Sequence, residues 1–162
     1  MNERQVYLEV QLRKALRLAG AGRKTEAEAV MNALGKEVPG LAFTKDGMQP
    51  LLMEARVQYM LGRIAALSGN AQPARAYWQA AAAQRGPFAI LAAKELGAAD
   101  WRSLAEREAS TGRSAGQGLL LHALGRDQEA AEVFSQVLLS PDRQFSHYIA
   151  RTALLELEQK GR

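Results

Sequence analysis

The chain has no cysteine, so neither disulfides nor thiolate metal sites can brace it. Histidine is nearly as scarce. With only His122 and His147, a zinc centre would need both together with carboxylates, and no H-E-x-x-H or comparable spacing supplies them. No metal and no cofactor is therefore expected. A phosphate-cradling loop is missing too, because Gly116-Gln117-Gly118 lacks the third glycine and the Lys-Ser/Thr ending. No uninterrupted apolar run approaches the roughly 20 residues that a membrane-spanning helix needs, and the polar opening, residues 1–5, resembles no secretory signal. These absences predict a soluble chain with no membrane insertion, cytoplasmic in place, or periplasmic if it is a fragment of an exported protein.

What is present is enough for a hydrophobic core. At 162 residues the chain is within the usual size of one domain, and such a domain buries roughly two thirds of its unfolded surface. The formal charge of +4 is uneven: residues 1–81 hold 11 Lys/Arg against 7 Asp/Glu, and residues 82–162 hold 10 of each. A nucleic-acid binder usually clusters its basic residues among exposed aromatics. Here the only adjacent basic pairs are Arg13-Lys14 and Arg23-Lys24, so nucleic acid is the weaker expectation and solvated helix faces explain the excess.

Alanine, leucine, arginine, glutamine and glutamate dominate, which favours helices, and no stretch alternates like a strand for long. The fold class is all-α. Glycines and prolines cut the chain into about nine segments, at Gly20 and Gly22, Pro39-Gly40, Pro50, Gly69, Gly86-Pro87, Gly97, Gly112, Gly125 and Pro141. Thr25 and Glu28 have the spacing of a capping box, Asp100 is placed to cap the helix that begins at Trp101, and Pro50 suits a first helical turn. From Pro50 to Ser68, Met53, Val57, Leu61 and Ile64 recur at steps of four, four and three and line one helix face. Ala74, Trp78 and Ala81 supply a matching face just beyond Gly69-Asn70, so the two segments pack as an antiparallel hairpin. Gly62, without a side chain, admits the bulk of Trp78.

The same spacing occurs three times. Leu61-Gly62, Gly69, Ala74, Trp78 and Ala81, closed by Gly86-Pro87, match Gly118, Gly125, Ala130, Phe134, Val137 and Pro141, and again Ala15, Gly22, Ala27, Met31, Leu34 and Pro39. On these residues the chain resembles the tetratricopeptide repeat proteins. The turn glycines Gly22, Gly69 and Gly125 lie 47 and 56 residues apart, against about 34 in a regular array, so spacer helices must separate the hairpins. The resemblance implies an α-α superhelix in one domain, 1–162, with hairpins at about 5–38, 50–86 and 113–140, spacer helices over 87–111 and a capping helix over 143–159. A second resemblance rests on Tyr77-Trp78-Gln79 and the stretch from Gly86-Pro87-Phe88 to Glu95-Leu96-Gly97. This is similar to the non-catalytic helical superhelix of bacterial soluble lytic transglycosylases, whose catalytic module carries a Glu-Ser dipeptide. None occurs here.

The tetratricopeptide resemblance implies a scaffold that holds a partner protein or peptide, with no catalysis of its own. Its concave groove falls to the first helix of each hairpin: Leu12, Arg13 and Leu16, then Arg56, Tyr59, Met60 and Arg63, then Leu119 and His122. Arginine forks grip carboxylates in two places, so Arg56, Tyr59 and Arg63 on one helix face form a candidate clamp for an acidic peptide. The alternatives are a helical scaffold of a peptidoglycan-associated system and a nucleic-acid-binding helical repeat. One catalytic string occurs, Gly112-Arg113-Ser114-Ala115-Gly116, which matches G-x-S-x-G. That motif needs a strand before the serine, whereas Trp101 to Thr111 reads as a helix, so a helix-to-helix turn explains it.

Overall fold

The computed structural model describes residues 3–42, 48–140 and 145–160. An isolated bridge between Val38 and Leu41 aside, the regular structure among them is helical throughout, as the composition predicts. The repeat-closing Pro141 and residues 143 and 144 of the expected capping helix lie outside the described residues. Two compact units divide the chain, residues 1–84 and 85–162. Each has its own cluster of buried side chains.

The first unit contains α1 (Glu3–Gly20), α2 (Lys24–Ala33), α3 (Met48–Leu52), α4 (Ala55–Leu67) and α5 (Ala71–Ala82). Helix α1 packs on α2 and on α4, and α4 packs on α5. The expected single helix from Pro50 to Ser68 is broken between α3 and α4. Met53 falls in the break and is exposed, while Val57, Leu61 and Ile64 form the buried face of α4 as their spacing requires. Gln58, itself buried, holds the break in place by donating to the Leu52 carbonyl at 2.7 Å.

The second unit contains α6 (Pro87–Glu95), α7 (Trp101–Ala109), α8 (Ala115–Ala123), α9 (Asp127–Leu139) and α10 (Phe145–Lys160). Here α6 packs on α7, both reach α8, and α10 lies against α8 and α9. The spacer helices α6 and α7 thus form a hairpin of their own.

The three predicted hairpins close with the same turn. In each, a glycine at φ of 79° or 80° follows the first helix, and Gly97 between α6 and α7 has φ 79°. The residue after the glycine donates its N–H to a carbonyl five residues back: Arg23 to Leu18, Asn70 to Ala65 and Arg126 to Leu121, all at 2.9 Å. The glycine N–H bonds three residues back in every case. These are the two bonds of a Schellman ending, which requires a left-handed residue that only glycine adopts without penalty.

Packing repeats as well. Ala27, Ala74 and Ala130, each five residues past its glycine, are completely or almost completely buried. A Cβ added to Gly62 would fall inside the indole of Trp78, and one added to Gly118 inside the ring of Phe134. The first hairpin has Ala15, fully buried, at the position of the glycines, and Met31, at the position of the rings, packs against the same core cluster. Phe134 is fully buried, but Trp78 is only half-buried, so the two aromatics are not equivalent in the way their spacing suggests. Among the described residues Trp78 Nε1 is enclosed without a hydrogen-bond partner, and its indole occupies the space that Gly62 leaves on α4.

The expected helix starts are partly corrected. Helix α2 begins at Lys24 with Arg23 as its cap residue and no side-chain cap bond, so Thr25 and Glu28 do not form a box. Arg23 instead grips Glu26, donating through Nε at 2.7 Å, and Glu28 accepts from Asn70 in the second hairpin's turn at 2.9 Å. Asp100 occupies the cap position of α7 but makes no side-chain bond. The capping box that does form joins Ser114 and Gln117 at the start of α8.

Candidate functional site

Helix α1 brings Glu9 to the face that packs on α4. Its carboxylate is 3% exposed and lies between two of the predicted groove arginines, 3.0 Å from Arg13 Nε and 2.8 Å from Arg56 Nη2. The first contact is a directed hydrogen bond along one helix turn. The second is an ion pair across α1 and α4. Burial pushes the Arg56 guanidinium down from its usual range, against the pull of Glu9 and then Glu54. A carboxylate taken out of water needs such charges, since an unpaired one costs several kcal/mol, on the order of 3 to 5.

This cluster changes the meaning of the predicted groove. Arg13 and Arg56 do converge, but on a carboxylate of the same chain, and Arg56 is 13% exposed. Arg56 also reaches Met60 Sδ at 3.3 Å, and Met60, like Leu12, belongs to the core. Leu16 and Tyr59 are half-buried against that core. Arg63 alone of the predicted arginines is exposed. With Tyr59 and the 47%-exposed Leu67 it shares the outward side of α4, at steps of four. Sequence reasoning missed Glu9. The available signal was its position four residues before Arg13 among Leu8, Leu12 and Leu16, where a carboxylate must either reach solvent or find a cation.

In the second unit, Leu119 and His122 of α8 face a recess completed by Phe134 of α9 and Ala153, Glu156 and Leu157 of α10, with about 270 Å³ of space open to solvent. His122 Nδ1 meets Asp127 Oδ1 at 2.7 Å, tying α8 to the start of α9. Its imidazole is thereby oriented by a carboxylate, but among the described residues that recess is lined by no serine, threonine or cysteine.

Ser114, the serine of the G-x-S-x-G string, follows α7, a helix. Its Oγ accepts from the Gln117 N–H, while its own N–H donates to Gln117 Oε1 at 2.9 Å. The hydroxyl is spent on starting a helix. Gly116 of the same string allows close approach to another helix end: a Cβ there would sit 2.8 Å from Pro87 Cγ at the start of α6.

On the surface of α6 and α7, Trp101 lies between two cations, Lys94 Nζ at 5.4 Å and Arg102 Cζ at 4.9 Å from the ring centre. Among the described residues no group of three or more His, Asp or Glu side chains gathers as a metal would require, and no helix is long and apolar enough to cross a membrane. Set against known proteins, the chain matches no family model, no curated protein and no solved structure.

Proposed function

We propose that the chain is a tetratricopeptide-like binding protein that holds a partner protein or peptide and does no chemistry itself. The observation that carries this reading is the recurrence, in all three predicted hairpins, of one turn and one buried alanine, joined in the last two by a glycine on the first helix facing an aromatic ring on the second. A fold so repetitive invests its repeated geometry in stacking and leaves helix faces free to present side chains. Partner recognition falls on the outward side of α4, through Arg63, Tyr59 and Leu67. It does not use Arg13 or Arg56, which Glu9 occupies.

Peptides selected from a displayed library on the intact protein test this reading. Arg63→Ala and Leu67→Ala should each weaken a selected acidic-apolar peptide about tenfold, the loss of one charged hydrogen bond or one apolar anchor, with unchanged thermal unfolding. Selection that yields no binder, or binders indifferent to both variants, would sink it. One observation favours a second reading, as a nucleic-acid-binding repeat: the indole of Trp101 flanked by Lys94 and Arg102. That reading requires affinity for single-stranded nucleic acid that falls steeply with salt and is lost in Trp101→Ala.

A further inference from the structure

The side of α1 turned away from the core carries Glu3, Val6, Val10, Lys14 and Arg17, all exposed. Steps of three, four, four and three hold them on one helix face, opposite the buried Leu8, Leu12, Ala15 and Ala19. Val6 keeps 44% of its surface exposed and Val10 51%. A lone exposed apolar residue needs no explanation, but these two sit on successive turns in the middle of a charged stripe. The charges are sorted along it, with the acid at the N-terminal end and the bases at the C-terminal end. Among the described residues none of the three charged side chains forms an ion pair, although Lys14 is near enough to Glu26 of α2 to favour its ionisation.

A stripe sorted this way is complementary to itself when reversed. Turned about a two-fold axis near residue 8, it sets Glu3 of one copy against Lys14 of the other, and Val6 against Val10. Parallel pairing would instead set like charge against like. The reversed arrangement also opposes the two helix dipoles. We infer that α1 pairs antiparallel with α1 of a second copy of this chain, in an isologous dimer. The apolar contact is small, well short of the roughly 800 Å² per partner of a standard interface, so the dimer is weak and forms as concentration rises. This inference stands apart from the proposed binding face, because it uses no residue of α4.

Sedimentation equilibrium of the full chain over a concentration series tests it. The wild type should show a monomer–dimer equilibrium, and Val10→Glu should raise its dissociation constant at least about tenfold by burying a charge at the seam. Glu3→Lys and Lys14→Glu should each weaken self-association about as much, since each sets like charges together. Mixed in equal amounts, those two variants should recover wild-type dimerisation, because every cross-pair is then opposite in sign. Circular dichroism melts matching the wild type would show that the variants remain folded, and variants at the exposed positions Val6→Ser and Lys14→Gln give a milder series if one does not. A wild type that stays monomeric at every concentration overturns the inference. So does a dimer indifferent to Val10→Glu, or a mixture that fails to pair, either of which assigns the stripe to some other occupant.

Discussion

The first and second hairpins solve the same packing problem with different residues. Between α4 and α5 the first helix gives up its side chain at Gly62 so that Trp78 can lie on the backbone. Between α1 and α2 the first helix keeps a methyl, Ala15, and the second helix carries the flexible Met31 at the corresponding position of the template. The template therefore specifies a sum of volumes across the seam, not particular residues. Where the second helix carries a rigid ring, the first must carry glycine, and the last hairpin repeats this with Gly118 and Phe134.

The largest effect should come from the last hairpin. Phe134 is fully buried, so Phe134→Ala should cost about 4 kcal/mol, and Trp78→Ala should cost clearly less because Trp78 is only half-buried. Urea unfolding of both variants decides it. Equal losses, or a larger loss at Trp78, would mean that burial does not rank the two seams.

Next in size is the ion cluster that distinguishes the first unit. Arg56→Ala should cost about 3 kcal/mol, since it leaves the Glu9 carboxylate buried with one cation instead of two. Arg63→Ala, one helix turn pair further along the same helix, should change stability by less than about 0.5 kcal/mol as an ordinary surface substitution. Comparable losses at the two positions would contradict the placement of Arg56.

Gly62→Ala tests the volume rule itself. The added methyl meets the Trp78 ring, and such overpacking costs about 2 kcal/mol. Combining it with Trp78→Met recreates the Ala15–Met31 pairing of the first hairpin and should recover much of the loss. If the double variant is no more stable than the sum of the two single ones, the hairpins are not interchangeable in this way.

Local signals made much of this fold legible. Glycines with a fixed offset to a buried alanine report backbone conformation and close packing, both of which depend on a few neighbours in sequence. The site was less legible because it depends on what faces a side chain from another helix. Arg13 and Arg56 have the spacing of groove residues, yet Glu9, 47 residues before Arg56 in the chain, decides that both are occupied. The break at Met53 escaped notice for a similar reason: Met53, Val57, Leu61 and Ile64 keep a helical period across it, and the period cannot register that Gln58 caps the turn from inside. The helix starts misled because Thr25 and Glu28 have the box spacing, while Arg23 and Glu26 are the pair that forms.

That last pair gives the smallest prediction and the sharpest comparison among the hairpins. The residue after the turn glycine and the one four past it are Arg23 and Glu26, Arg126 and Glu129, but Asn70 and Pro73 in the middle hairpin. In the outer two, the arginine donates through two nitrogens to the carboxylate; Arg126 does so at 2.8 and 2.6 Å and also reaches Glu106 at 3.2 Å. The hydrogen bond, more than the charge alone, holds Glu26 and Glu129 below the ordinary carboxylate range. A depressed carboxylate contributes stability that is fully present above its unfolded value and is lost as pH falls through its folded value, so both turns should loosen only in acid. The pairs are exposed, so the contribution is small and screened by salt. Side-chain carboxyl NMR should find both glutamates titrating below the ordinary range of a glutamate side chain. Arg23→Ala should raise Glu26 alone, and Arg126→Ala should raise Glu129 alone. Midpoints that do not respond to these variants would show that the two clamps are only transient contacts, and that the outer turns, like the middle one, are held by their backbone bonds.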